Sequence, residues 1–275
     1  ADPDHGRPNM TLTQADDFLT ESEVLFEALS GLSDTDLRAQ TQFKGWTIED
    51  VLVHLHFWNT GADLSASDEV AFMARMGGAM ASLKATGSLR TYENDTIAAR
   101  GQNLRDLWIG TARGIAARWR NMDPKARLPW VGPSMSARSS MTARQMETWA
   151  HGFEVFDLLG KTRADTDRIK NIIVLGVNTF GWSHQVHGLS VPEVMPKLTL
   201  TAPSGDIWEF GEDNGNSVTG PAVDFAAVVT QTRAFEDTTL IATGEAAQTW
   251  MANAQCFAGP TESPPAPGSR HRLEA

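Results

Sequence analysis

Gly45-Trp46-Thr47-Ile48-Glu49-Asp50-Val51-Leu52-Val53-His54-Leu55 is the stretch that decides the reading of this chain. Thr47 followed three residues later by Asp50 is an acidic form of the capping box, so a helix begins here. Ile48, Val51, Leu55, Trp58 and Ala62 recur at helical spacing and define an apolar stripe. His54 lies inside that stripe, beside Val51 and Leu55. His56 is turned from it by roughly 200° and is expected off the stripe. A lone histidine on an apolar face is more often a hydrogen-bonded core residue than a metal ligand. His54 therefore draws its weight from partners elsewhere.

Met146-Glu147-Thr148-Trp149-Ala150-His151-Gly152 supplies them. Glu147 and His151 are four apart, so on a helix they share one face. A carboxylate on that face is costly to bury unpaired. A plain i,i+4 ion pair is a weak account of it, because histidine is normally neutral at pH 7. Two imidazoles and a carboxylate from two helices make a three-point site with a coordination position left open, which suits a catalytic ion better than a structural one. The paired E-x-x-H motifs of di-iron bundles are absent, so one ion is expected rather than two.

The chain of 275 residues is long enough for two domains. Its 41% hydrophobic and 21% charged residues are those of a globular protein. A net charge of -11 argues against nucleic acid or an anionic membrane as the main partner and leaves a homodimer open. No apolar run approaches the ~18 to 20 residues that span a bilayer. Ala1 to Met10 is polar, with Pro3, His5 and Pro8, and reads as neither a signal segment nor an anchor. The single cysteine, Cys256, excludes an intrachain disulfide and a thiolate-rich metal site, and fits a cytoplasmic setting.

The chain up to Phe180 reads as helical. A helix is expected from Thr11 to Leu32, and a short one capped at Ser33 runs to Ala39. Long helices follow from Thr47, from Asp68 to Lys84 (loosened at Gly77-Gly78) and from Asn94 to Trp119. Residues 128–136 read as a loop. A further helix ends near Leu159 with Gly160 as its cap, and a connecting helix spans Asp165 to Phe180. Lys197–Thr201 and Ile207–Phe210 then alternate with period two around Pro203-Ser-Gly-Asp206, a hairpin. Helices are expected over Pro221–Thr232 and from Gly244 to Phe257, with a strand over Thr238–Ala242. The fold class is α+β. Residues 11–165 form a helical metal-binding domain, 166–188 a connecting helix and linker, and 189–259 a small α+β domain. Residues 1–10 and 260–275 are expected to be flexible tails.

His184 and His187 form an H-x-x-H in the connecting segment with no acid nearby until Glu193. They read as histidines lining a cleft, with substrate contact favoured over metal binding. Phosphate loops and the nucleophile elbow are absent. Of the nine tryptophans, Trp46, Trp58 and Trp149 neighbour the candidate ligands.

These fragments, in this order, resemble a known family. Gly45 to Leu55 is similar to the G-W-[ST]-x-x-D-V-x-x-H-L signature of the mycothiol-dependent maleylpyruvate isomerase N-terminal domain, within the DinB-like superfamily. Met146 to Gly152 resembles its second ligand helix. Val218-Thr-Gly-Pro-Ala-Val-Asp-Phe through Thr243-Gly244 and Trp250 resembles the small sterol-carrier-like domain appended in the same proteins. The match looks best for an uncharacterised metal-binding branch and covers about residues 11 to 259. It implies a four-helix bundle whose metal ligands fall on His54, Glu147 and His151. It implies zinc or a similar divalent ion; two imidazoles and a carboxylate also suit nickel or iron. A low-molecular-weight thiol such as mycothiol or glutathione is implied as cosubstrate. Arg233 sits where an arginine of the isomerases faces the metal cleft, although Val-Thr-Gln-Thr-Arg-Ala departs from their pattern.

The function expected is a divalent-metal-dependent, thiol-dependent isomerase or transferase acting on a small electrophile in the interdomain cleft. The alternatives are a metal-dependent hydrolase with the same ligands and a non-enzymatic, metal-stabilised binding protein for a small apolar ligand.

Overall fold

The computed structural model describes residues 11–274; the tail expected over residues 1–10 lies outside them. In chain order come α1 (Gln14–Ala28), α2 (Asp34–Leu37), α3 (Ile48–Ser67), α4 (Glu69–Thr86), α5 (Arg90–Thr96) and α6 (Gly101–Trp119). The short strands β1 (Arg127–Leu128) and β2 (Met135–Ser136) precede α7 (Ala137–Leu158). Then follow α8 (Lys170–Asn178), α9 (Phe180–Val186), β3 (Lys197–Thr201), β4 (Ile207–Phe210) and β5 (Ser217–Pro221). The last elements are α10 (Ala222–Val229), β6 (Ile241–Thr243) and α11 (Glu245–Asn253). The chain is thus a mixed helical and sheet protein, mostly helical. No helix among the described residues is long and apolar enough to cross a membrane.

Two compact units divide it: residues 11–41 with Gly45–Trp149, and Gln42–Lys44 with residues 150–274. The division falls inside α7. In the first unit, α1, α3, α6 and the start of α7 share one apolar core, with Phe18, Ala62, Ile115, Trp119 and Met141 at its centre. The helix starts are local chemistry. Ser33 and Asp36 form a reciprocal capping box at α2, and Thr47 and Asp50 form another at α3.

The helix expected over Asn94–Trp119 is instead two helices. Gly101 takes a left-handed φ of 62°, and a Cβ there would collide with the Asp34 carboxylate. Its N–H donates to Glu49 Oε2 at 2.8 Å, and the Gln102 N–H donates to Asp34 Oδ1 at 2.9 Å. Two acids borrowed from other helices thus cap α6 at its positive end. The break frees α5 to lie against α3. The loop expected over residues 128–136 carries a two-residue antiparallel ladder. At Gly77-Gly78, where loosening was expected, α4 is continuous.

The second unit holds a four-stranded sheet in the order β4-β3-β5-β6. The expected β3–β4 hairpin pairs Leu198 with Phe210 and Leu200 with Trp208. β5, which sequence patterning missed, pairs parallel to β3. Phe225 of α10 and Trp250 of α11 meet edge to face at 5.5 Å in the core. The segment after Gly259 carries no helix or strand, yet it is anchored where flexibility was expected. Gln231 Nε2 donates to the Glu262 carbonyl at 2.9 Å, the Leu273 N–H donates to the Asp157 carbonyl at 2.9 Å, and Arg270 is buried.

Candidate metal centre

His54 projects from the second turn of α3, and Glu147 and His151 from successive turns of α7. His54 Nε2 lies 3.3 Å from Glu147 Oε2. One ligand-type atom from each of the three residues falls within 4.8 Å of the other two. Their side chains keep 15%, 20% and 11% exposure, so they are shielded yet reachable. All three offer nitrogen or oxygen, and three protein donors leave positions for an exogenous ligand. The donor set therefore fits a divalent ion. No second group of three such side chains comes together among the described residues.

Each imidazole is held from behind by a buried carboxylate. His54 Nδ1 lies 2.7 Å from Glu93 Oε2, and Glu93 is 2% exposed. His151 Nδ1 lies 3.1 Å from Glu154 Oε2, and Glu154 is also buried. An arginine stands behind each acid: Arg90 is 3.7 Å from Glu93, and Arg270 is 3.6 Å from Glu154. Arg90 also bonds Asp50 at 2.7 Å and covers the Trp46 ring at 4.2 Å. A carboxylate accepting Nδ1–H assigns the tautomer that leaves Nε2 as the donor to a cation. Aromatic rings complete the surround. Trp46 meets His54 edge to face at 5.2 Å, and Phe43 meets His151 at 5.4 Å.

Sequence reasoning did not single out Glu93 or Glu154. Glu154 carried a faint signal, three positions after His151 on the same helix. Glu93 carried none, because α5 was not separated from α6.

His56 is buried rather than off the apolar face, because α3 is enclosed on almost every side. Burial, with a smaller contribution from Arg75, pushes its pKa down to about 4. His184 and His187 belong to no group of three ligand-type side chains among the described residues. His184 is buried, and its Nδ1 bonds the Phe180 carbonyl at 2.8 Å. Arg233 gives Nη1 and Nη2 to the two oxygens of Asp157, each at 2.7 Å, and lies over Phe153 at 4.4 Å.

Residues 18–156, half of the chain, match the family model described as mycothiol maleylpyruvate isomerase N-terminal domain, and the chain belongs to that family. It is 36% identical over 245 residues to an uncharacterized protein of Mycobacterium tuberculosis, found in strains CDC 1551 / Oshkosh and H37Rv. The alignment covers 89% of this chain and 95% of each relative. The crystal structure of the mycothiol-dependent maleylpyruvate isomerase is similar at a TM-score of 0.50 and 14% identity. That likeness covers 78% of this chain and 86% of the other, and it is a likeness of fold.

Proposed function

We propose that this chain is a divalent-metal-dependent enzyme that uses a low-molecular-weight thiol to isomerise or conjugate a small electrophilic substrate. The observation that carries this reading is the approach of His54, Glu147 and His151 to within 4.8 Å of one another. Membership of a family whose domain is named for a mycothiol-using isomerase supports the thiol.

His54, Glu147 and His151 would hold the ion, with zinc the best match to two imidazoles and a carboxylate and nickel or iron the alternatives. A bound divalent cation supplies Lewis acidity, drawing a thiol or water toward its deprotonated form near neutral pH. Glu93 and Glu154 keep the imidazoles oriented, and Trp46 and Phe43 limit water around them. The sulfur adds to one carbon of an activated C=C bond, and the π pair moves to the conjugated carbonyl as an enolate. Rotation about the former double bond, now single, and loss of the same thiolate give the geometric isomer. Protonation of the enolate carbon gives the conjugate instead.

Elemental analysis of the purified protein, followed by turnover assays with and without added thiols, tests this. His54→Ala is expected to lose the metal and the thiol-dependent turnover while keeping its helical circular dichroism. Global unfolding of that variant, or full metal content in it, would overturn the assignment.

A further inference from the structure

Arg144 is a buried charge with two guanidinium nitrogens that lack an acceptor. It lies on α7 in the first unit and is 5% exposed, and neither its Nε nor its Nη1 has a hydrogen-bond partner. A guanidinium offers five donors and keeps its charge. Buried without acceptors, it destabilises the fold. Arg233 shows the usual solution, with both oxygens of Asp157 on its fork. The Trp130 ring lies 5.8 Å from the Arg144 guanidinium.

Its position is informative. Residues 144, 147 and 151 stand at i, i+3 and i+7, one stripe of the helix, so Arg144 is the next side chain along from the two α7 ligands. Glu147 lies near enough to act on it electrostatically, against the stronger effect of burial. Aromatic rings lead from it back to the triad. Trp130 is 5.8 Å from Trp58, and Trp58 is 6.5 Å from His54. An unsatisfied cation therefore lies at one end of an aromatic wall, with the three ligand side chains at the other.

We propose that Arg144 binds a carboxylate of the substrate, anchoring it while its reactive carbons face the His54–Glu147–His151 triad. This deepens the metal-enzyme reading and rests on it for the neighbouring ion. A carboxylate has two coplanar acceptor oxygens that match the guanidinium fork. It supplies the missing acceptors only when substrate is present, so the cost of the orphan charge in the free protein is recovered on binding.

Titration calorimetry of the metal-loaded protein with succinate and with neutral dimethyl succinate tests the role. Wild type is expected to bind the diacid in preference to the diester, and more weakly as salt rises. Arg144→Met is expected to lose at least about tenfold in succinate affinity. The same variant is expected to melt at a higher temperature than wild type, because an orphan charge is gone. Arg144→Lys, which keeps the charge and loses the fork, is expected to fall between them, and it carries the test if the methionine variant does not fold. Succinate affinity within about twofold of wild type in both variants overturns the proposal. So does a wild type that binds the diester as tightly as the diacid, or that binds neither. Metal content measured on the same samples separates the two readings. An unmetallated wild type overturns the enzyme reading, whereas fully metallated variants with undiminished succinate affinity overturn only the role of Arg144.

Discussion

Nδ1 of His54 lies 2.7 Å from Oε2 of Glu93, a carboxylate 39 positions away and 2% exposed. The pair orients a histidine on an apolar helix face, with its Nε2 3.3 Å from Glu147 Oε2. A buried acid in such a place offsets its cost by fixing the tautomer and orientation of the imidazole.

Glu93→Gln is therefore expected to weaken metal binding about 10- to 100-fold while leaving the helices intact. Competition against a coloured chelator reads the affinity, and the visible spectrum of the cobalt-substituted protein reads the ligand geometry. Unchanged affinity and spectrum would show that Glu93 only fills space. Glu154→Gln makes the same test at His151.

His56 gives the fold an acid sensitivity. Its pKa is about 4 in the folded protein against an ordinary 6.5. Between those values the unfolded chain takes up a proton that the folded chain refuses. Stability contributed by the neutral imidazole is thus present above pH 6.5 and is lost as pH falls toward 4. The loss is expected to reach about 3 kcal/mol. Urea unfolding at pH 7 and pH 5 should show a smaller drop for His56→Leu than for wild type. Equal drops would mean that other groups set the acid limit.

Asp157→Asn leaves Arg233 without its countercharge in a mostly buried setting, where the two side chains are 5% and 15% exposed. The expected cost is about 3 kcal/mol of unfolding free energy, readable in a denaturant titration. A cost below about 1 kcal/mol would place the pair with surface ion pairs.

Adjacent glycines of α4 should respond with opposite signs. Nothing lies near a Cβ added at Gly77, so Gly77→Ala is expected to stabilise by about 0.5–1 kcal/mol through helix propensity. A Cβ at Gly78 would overlap the hydroxyl end of Tyr92, whose ring packs on Phe57 at 5.8 Å. Gly78→Ala is expected to destabilise, because that ring must leave its contact. Thermal melts of the two variants suffice, and a shared sign would be the contrary result.

Much of the first unit was legible because its signals are local. The boxes at Ser33/Asp36 and Thr47/Asp50 are three-residue reciprocal bonds, and they start helices where the residues say. Asp68 caps α4 with a single bond, its Oδ1 accepting from the Ala71 N–H at 3.0 Å. The β3–β4 hairpin is equally local, since its turn chemistry lies between its strands. The split between α5 and α6 was not legible. Ala98-Ala99-Arg100-Gly101 has no proline, and the acids that cap α6 come from Asp34 and Glu49. β5 was missed for a related reason: Ser217-Val-Thr-Gly-Pro shows no alternation and is held as a strand by parallel pairing to β3.

The amino-acid sequence by itself determined where most helices begin, the hairpin, and the three residue types suited to one cation. The helix starts and the Glu147–His151 spacing rest on neighbours within about four positions, where chain geometry alone sets the distances. Only the tertiary structure decided that Glu93 stands behind His54, that Glu154 lies between His151 and Arg270, and that Arg144 is buried with its Nε and Nη1 unpaired. Those relations depend on which distant segments exclude water from one another. Burial and the loss of solvent hydrogen bonds are properties of the packed molecule, and no spacing along the chain encodes them.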